Sequence, residues 1–183
     1  MPRPLDLIAD GPPFQVRGTA EAAARVLAEP GLIDELFDGI ADDHEGLRNR
    51  AAGALAKVAA ARPDLLAPYK RELLTRVARI EHWVVRSRFC PILARVPNLT
   101  VRERRRAIAL MRGWIDARSS VVKAVALDCV VQLSLAPGFG AERAAASALV
   151  EECAEHGATP ALRARARLMR KQLAKLARTT RPA

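Results

Sequence analysis

The segment DHEGLRNRAA, residues 43–52, places the pair Leu47-Arg48 at the start of a predicted helix. The same pairing of an aliphatic residue with a cation recurs at intervals of 38, 37 and 40 residues. The four pairs are Leu47-Arg48, Val85-Arg86, Val122-Lys123 and Leu162-Arg163. A period in this range is typical of arrays built from paired helices. The spacing therefore predicts an all-α protein, a right-handed α-solenoid of about four helix pairs.

Apolar periodicity and helix-breaking residues predict where each helix begins and ends. A short helix over 19–28, with Thr19 as its N-cap, precedes the repeats. Thr100 and Glu103 form a capping box for the third pair. The predicted A and B helices are 32–41 with 45–61, 64–80 with 83–96, 100–117 with 119–135, and 140–155 with 159–178.

The B helices share one apolar stripe. Counted from the aliphatic residue of each pair, the first three B helices have apolar residues at +4, +7, +8 and +11, the spacing of one helix face. In the last B helix Arg170 takes the +8 position, and Arg167 stands where the third B helix has Leu127. A polar outer face is expected of the repeat that closes an array, and a dedicated binding helix is the alternative.

The chain reads as a proline-rich leader over 1–18, a repeat domain over 19–178 and a disordered tail over 179–183. The N-terminus has no apolar core of signal-peptide length, and no stretch approaches the ~20 apolar residues that span a bilayer. The three cysteines lie in predicted helices without a CxxC pair, which argues against a disulfide framework. These features predict a cytoplasmic protein without membrane partners.

The net charge of +10 is unevenly distributed. Residues 1–45 have a balance of −7, residues 46–155 of +9 and residues 156–183 of +8. Basic stretches suggest an acidic protein or nucleic acid as partner, and opposite ends permit head-to-tail contact between copies. The alternative is coding bias, because arginine outnumbers lysine 25 to 5, as in GC-rich bacterial genes.

The segment 43–52 and the run Glu81-His82-Trp83-Val84-Val85-Arg86 resemble the HEAT repeat. The resemblance covers about residues 31–178, and more narrowly the chain is similar to short bacterial HEAT-like proteins. It implies that an acidic residue closes the turn between paired helices and that the following Val-Arg pair opens the second helix. Two repeats depart from the pattern, since Asp116 lies seven residues before Lys123 and Glu155 eight before Arg163. HEAT arrays serve as scaffolds, transport factors and occasional enzymes.

The repeated cations are the first candidates for a binding surface: Arg48, Arg86, Lys123 and Arg163. Stacked in register, they would form a ladder able to contact phosphates or acidic side chains. The structural alternative is that each cation pairs with the acid of its own turn and fixes the angle between helices. A second candidate set lies three residues after each aliphatic residue and has no repeated acid beside it: Arg50, Arg88 and Arg165.

Two further groups carry alternatives. The cations of Arg102-Glu103-Arg104-Arg105-Arg106 oppose the positive N-terminal end of a helix dipole, so they need compensating acids or an external anion.

One HEAT-like family, the alkylpurine DNA glycosylases, resembles this chain in repeats and charge. Carried over, its aromatic residues and aspartate would correspond to Trp83, Trp114 and Asp116. Packing between helices is the structural alternative for both tryptophans.

No motif for catalysis, a metal or a cofactor is apparent. His44, His82 and His156 fall in turns of different repeats, and no HExxH or Cys/His cluster occurs. The sequence therefore predicts a noncatalytic interaction module, not an enzyme, that binds a protein partner. A binder of the nucleic-acid backbone is the first alternative and a DNA glycosylase the second.

Overall fold

A computed structural model describes residues 1–12 and 15–179, and these residues contain helices and no strand. The all-α prediction is confirmed. The chain divides into two compact units, Met1–Glu103 and Arg104–Ala183. Of the predicted disordered tail over 179–183, Thr179 instead ends the last helix, and residues 180–183 lie outside the described residues.

The first unit contains five α-helices and the first turn of a sixth. They are α1 (Thr19–Ala28), α2 (Ile33–Ala41), α3 (Glu45–Ala61), α4 (Lys70–Leu73) and α5 (Trp83–Arg95), followed by the start of α6 (Val101–Trp114). Short 3₁₀ helices lie at Asp6–Ile8, Pro30–Leu32, Pro63–Tyr69 and Val77–Arg79. Helix α3 packs against α1, α2 and α5 and is the centre of this unit.

The second unit contains the rest of α6 and three long helices. These are α7 (Ser120–Ser134), α8 (Gly140–His156) and α9 (Pro160–Thr179), and α9 packs against both α7 and α8. The predicted stripe is buried in α7, where Val122, Cys129 and Leu133 have almost no exposed surface. In α9 Leu162, Ala166 and Met169 are buried, whereas Arg167 and Arg170 are exposed.

Most predicted helix bounds agree with the structure to within about three residues, and α1 and α3 match their predicted ranges. The capping box is confirmed, since Glu103 N–H donates to Thr100 Oγ1 at 3.2 Å and Thr100 N–H donates to Glu103 Oε2 at 2.8 Å. These bonds hold the pKa of Glu103 below its usual value. Local sequence signals were sufficient to predict the bounds of helices whose ends are set by neighbouring residues, such as a capping box.

The predicted helix over 64–80 is wrong. Pro68 lacks a backbone N–H and its ring clashes with the carbonyl four residues earlier, which disfavours an α-helix through it. The segment instead forms the 3₁₀ helix Pro63–Tyr69, the single α-turn α4 and a second 3₁₀ turn. Tyr69 anchors it to α2: its ring stacks on Phe37 at 4.4 Å between centroids, and its hydroxyl donates to Asp34 Oδ1 at 2.7 Å.

The predicted N-cap of α1 is also wrong. Gly18 occupies the cap position at φ +73°, and the Thr19 hydroxyl donates backwards to the Val16 carbonyl at 2.7 Å. The preceding leader is part of the first unit. Ile8 is fully buried, and Arg3 Nε lies 2.7 Å from Glu35 Oε1 on α2. Proline content alone did not reveal these tertiary contacts.

Small residues bring α2 and α3 together. Ala51, Ala52 and Ala54 are buried along α3. A Cβ added to Gly39 of α2 would lie 2.9 Å from the Ala51 Cβ and 2.7 Å from a Leu5 methyl group. Only glycine fits this contact, which also holds the leader against the two helices.

Within the part of the chain that the structure describes, no helix combines the length and apolarity needed to cross a membrane. The same residues contain no group of three or more His, Cys, Asp or Glu side chains arranged to hold a metal. Cys90, Cys129 and Cys153 are buried in α5, α7 and α8.

The Gly39 contact gives a test of the α2–α3 packing. Gly39→Ala should lower the free energy of unfolding by about 1–3 kcal/mol, because the new methyl group overpacks a closed interface. Gly113, within α6, has no atom within 4 Å of an added Cβ. Gly113→Ala should therefore raise stability by about 0.5–1 kcal/mol through helix propensity. Urea denaturation of both variants checks the pair, and equal effects would contradict the close approach at Gly39.

Candidate interaction surface

The repeated arginines bind backbone carbonyl oxygens in the turns that precede their helices. Arg48 Nη1 donates to the Asp42 carbonyl at 3.3 Å, Arg86 Nε to Ile80 at 3.2 Å, and Arg163 Nη1 to Gly157 at 2.7 Å. Each acceptor lies six residues before its arginine and is the C-cap of the preceding helix or 3₁₀ turn. Carbonyls at a helix C-terminus have no partner within the helix and carry partial negative charge, so a guanidinium satisfies both needs.

The predicted pairing of each cation with its own turn acid holds only for Arg86, whose Nη2 lies 3.7 Å from Glu81 Oε1. Glu81 is almost fully exposed, so this pair contributes little, about 0–1 kcal/mol. No ion pair joins Arg48 to Asp43 in the described residues. Arg48 and Arg163 thus bond to a backbone carbonyl of the turn and not to its acid, whereas Arg86 contacts both. The fourth cation, Lys123, is half-buried and makes no side-chain hydrogen bond or ion pair within residues 1–12 and 15–179.

The sequence pattern grouped Arg50 with Arg88 and Arg165 as candidates for a binding surface. In the structure Arg50 is buried, so this prediction is wrong for Arg50. Its side chain is 1 % exposed and donates to four carbonyl oxygens of the leader. The acceptors are Ile8 at 2.7 Å, Ala9 at 2.9 Å, and Gly11 and Pro12 at 3.0 Å each. Gly46 makes room one turn earlier, since its Cβ would lie 3.0 Å from Arg50 Nη1. The residue fixes the leader and is unavailable to a partner.

The other two candidates of this set differ from each other. Arg165 Nη1 lies 3.1 Å from Asp128 Oδ2, an ion pair between α9 and α7. Burial raises the pKa of Asp128, and the charge of Arg165 opposes that shift only in part. Arg88 is exposed, and the described residues offer it no hydrogen bond or ion pair. Of the three, Arg88 alone fits the prediction of a free cation.

The cations that open α6 find compensation within the second unit. Arg105 Nε lies 2.7 Å from Glu142 Oε1, which holds the pKa of Glu142 below its usual value. The guanidinium of Arg104 sits 5.6 Å and that of Arg105 6.0 Å from the ring centroid of Phe139, within reach of cation–π attraction. The predicted need for compensating acids is met here by an acid and an aromatic ring.

The two tryptophans occupy different environments. Trp83 begins α5 and is 45 % exposed, whereas Trp114 ends α6 and is 6 % exposed in the core of the second unit. Asp116 is exposed and lines a cavity of that unit. A side chain that stacks on an extruded base must be accessible, and Trp114 is not. The packing alternative therefore fits Trp114.

Helix α9 carries a stripe of cations on the side opposite its buried residues. Arg167, Lys171, Lys175 and Arg178 follow at i, i+4, i+8 and i+11, the spacing of one helix face. All four are exposed, and α9 contains no acidic residue. Arg167, Lys171 and Arg178 have no ion pair in the described part of the chain. We call these four residues the cationic stripe.

Apolar surface adjoins the cationic stripe. Leu168 is 52 % exposed and Leu176 is 43 % exposed. Leu176 also lines a shallow groove of about 330 Å³ with Leu135, Arg143, Ser147, Leu173 and Ala177. The sequence predicted the polar outer face of α9 but not the groove, which depends on how α8 and α9 pack.

Comparison with known proteins adds no relative: no family model, no curated protein and no solved structure matches the chain. Functional inference therefore rests on the geometry of the two units.

Arg50 can be tested as a structural residue. Arg50→Met should lower the free energy of unfolding by about 3–5 kcal/mol, because buried carbonyls lose a charged partner. Arg50→Lys should recover part of that loss, since an ammonium lacks the planar fork that reaches four acceptors. Arg88→Met is the matched control on an exposed arginine and should stay within about 0.5 kcal/mol of the native protein. Chemical denaturation decides, and a neutral Arg50→Met would contradict the assignment.

Two acids of the second unit should respond to pH with opposite signs. The raised pKa of Asp128 means that its neutral form favours the fold, a contribution fully present below the unfolded pKa and lost as pH rises through the folded one. Asp128→Asn should therefore gain stability relative to the native protein between pH 3 and pH 7, the window around an ordinary carboxyl pKa of about 4.

Glu142 provides the opposite case. Its lowered pKa contributes stability above the unfolded pKa that is lost as pH falls through the folded one. Glu142→Gln should lose stability relative to the native protein over the same rise in pH. Urea denaturation of the three proteins at pH 3, 5 and 7 measures both differences. Parallel curves for the two variants would refute the contrast.

Proposed function

We propose that the chain is a noncatalytic interaction module that binds an acidic segment of a protein partner through α9. The observation that carries this proposal is the cationic stripe on an acid-free helix. Like charges at i, i+4 spacing repel one another by a few tenths of a kcal/mol per pair. A partner that supplies carboxylates would remove that cost and gain charge-assisted contacts.

The surroundings of the stripe favour a protein over a nucleic acid. Leu168 and Leu176 lie beside the cations, and the groove next to Leu176 is lined largely by apolar side chains. Aliphatic surface gains free energy when a partner's apolar residues cover it, but it gains little from a phosphate backbone. An amphipathic acidic helix or strand matches both the charge and the apolar surface.

We also propose that the helix pairs are HEAT-like repeats of a right-handed α-solenoid. The arginine that bonds to the carbonyl six residues earlier supports this, because it recurs in both units at the repeat spacing. Such arrays are interaction scaffolds more often than enzymes. An acidic partner could also be a second copy, since residues 1–45 have a balance of −7.

A binder of the nucleic-acid backbone is the second candidate, and the charge density of α9 favours it. That function predicts affinity that falls steeply with salt and ignores base sequence. No observation in the described residues favours the DNA glycosylase alternative, and the burial of Trp114 speaks against it.

The test compares an acidic amphipathic peptide with a short DNA duplex of similar charge by fluorescence anisotropy. Arg167→Gln/Lys171→Gln/Arg178→Gln should weaken peptide binding at least tenfold. Arg79→Gln/Arg88→Gln/Arg102→Gln removes the same charge from exposed positions of the first unit and should change it little.

A second pair of variants separates the two functions. Leu168→Gln/Leu176→Gln should weaken the peptide but leave the duplex unchanged if the partner is a protein. Duplex binding that survives these substitutions and exceeds peptide binding would favour the nucleic-acid function instead. Equal losses in both charge variants would mean that net charge alone is responsible and would overturn the role of α9. Light scattering at low and high salt reports self-association.

A further inference from the structure

A cavity of about 320 Å³ lies within the second unit, between the end of α6, the second half of α8 and the start of α9. Its apolar wall includes Ile115, Leu149 and Leu162. Its charged lining is Arg112, Asp116 and Glu152. The cavity is separate from the cationic stripe and the groove beside it.

The acids of this cavity are exceptional in a basic unit. Between residues 104 and 179, Glu142 pairs with Arg105, Asp128 with Arg165 and Glu151 with Arg170. Glu155 lies 3.7 Å from His156. Asp116 and Glu152 are the two acids left without an ion pair in those residues, and both line the same cavity.

The charged lining residues Arg112, Asp116 and Glu152 are exposed to solvent, whereas Cys153 is 5 % exposed. Arg112 lies four residues before Asp116, yet no ion pair joins them in the described structure. The thiol of Cys153 makes no hydrogen bond among residues 104–179. Burial first and then the charges of Glu152 and Asp116 raise the pKa of Cys153. Both carboxylates and the thiol border the same cavity.

We propose that this cavity binds the alkylammonium group of a lysyl residue. The two carboxylates supply charge for the ammonium, and the apolar wall suits the four-carbon stem, as in pockets that combine aliphatic walls with few polar groups. Arg112 supplies donors that a lysyl residue can use through its amide oxygens and a simple amine cannot. A metal is not the ligand that fits, because the described residues hold no metal-binding group.

Calorimetry tests the cavity with three probes: N-acetyl-lysine N-methylamide, pentylamine and uncharged 1-pentanol. The lysine derivative should bind most tightly, pentylamine more weakly and pentanol not measurably. Asp116→Asn and Glu152→Gln should each reduce affinity for both amines about tenfold, equivalent to about 1.4 kcal/mol. Arg112→Met should remove the advantage of the lysine derivative over pentylamine.

Glu155→Gln is the matched control, because it removes the same charge from α8 outside the cavity; it should leave affinity unchanged. Circular dichroism confirms that each variant is folded. If pentylamine binds at least as well as the lysine derivative, the ligand is a free amine and the lysyl assignment fails. Absence of binding, or an equal loss in Glu155→Gln, would overturn the site altogether.

Discussion

Arginine side chains bonded to backbone carbonyl oxygens hold this structure together. Short helices leave many C-terminal carbonyls without partners, and the turn arginines Arg48, Arg86 and Arg163 satisfy one in each of three turns. Arg50 does the same for the leader, with four acceptors and no carboxylate. A guanidinium is suited to this work because it keeps its charge when buried and offers five donors in a fixed plane. Lysine can also bond to a turn carbonyl, since Lys70 Nζ donates to Asn98 at 2.8 Å, but one ammonium does not replace the planar fork by which Arg50 reaches four acceptors. At Arg50 the use of arginine is thus structural rather than only a matter of coding.

The sequence predicted what local signals control. Apolar periodicity located α3 and α7, and Thr100 with Glu103 located the start of α6, because these features depend on residues a few positions apart. Predictions failed where a side chain bonds to a group that is distant in the sequence or that belongs to the backbone. The acceptors of Arg48 and Arg50 are carbonyl oxygens, which every residue has, so no spacing of side chains could reveal them. The chemistry of proline alone did not predict the break at Pro68, because Pro91 lies within α5 without ending that helix. The groove beside Leu176 was not predicted either, since it arises from tertiary packing.

Many of the cations that make up the net charge are bonded within the protein and are therefore not available to a partner. The turn arginines and Arg50 neutralise backbone dipoles, Arg105 and Arg165 neutralise Glu142 and Asp128, and none of these makes a general polyanion surface. In the second unit the exposed cations on the outer side of α9 form one stripe, whereas Arg106, Arg112 and Arg118 are exposed at positions outside that helix. Three of the four repeated cations, Arg48, Arg86 and Arg163, bond to turn carbonyls instead of forming a binding ladder.

The charged groups without ion pairs also distinguish two surfaces of the second unit, the outer side of α9 and the cavity lined by Asp116 and Glu152. The α9 surface has a stripe of exposed cations beside exposed leucines, and the cavity is lined by two acids that have no ion pair, by Arg112 and by an apolar wall. Each is a place where the fold leaves charge uncompensated although a compensating group of the opposite sign is abundant in the chain. These charges are exposed, and groups of opposite charge can form charge-assisted hydrogen bonds with them. Under the two proposals made above, the chain would engage two chemically different segments, an acidic one at α9 and a lysyl residue at the cavity.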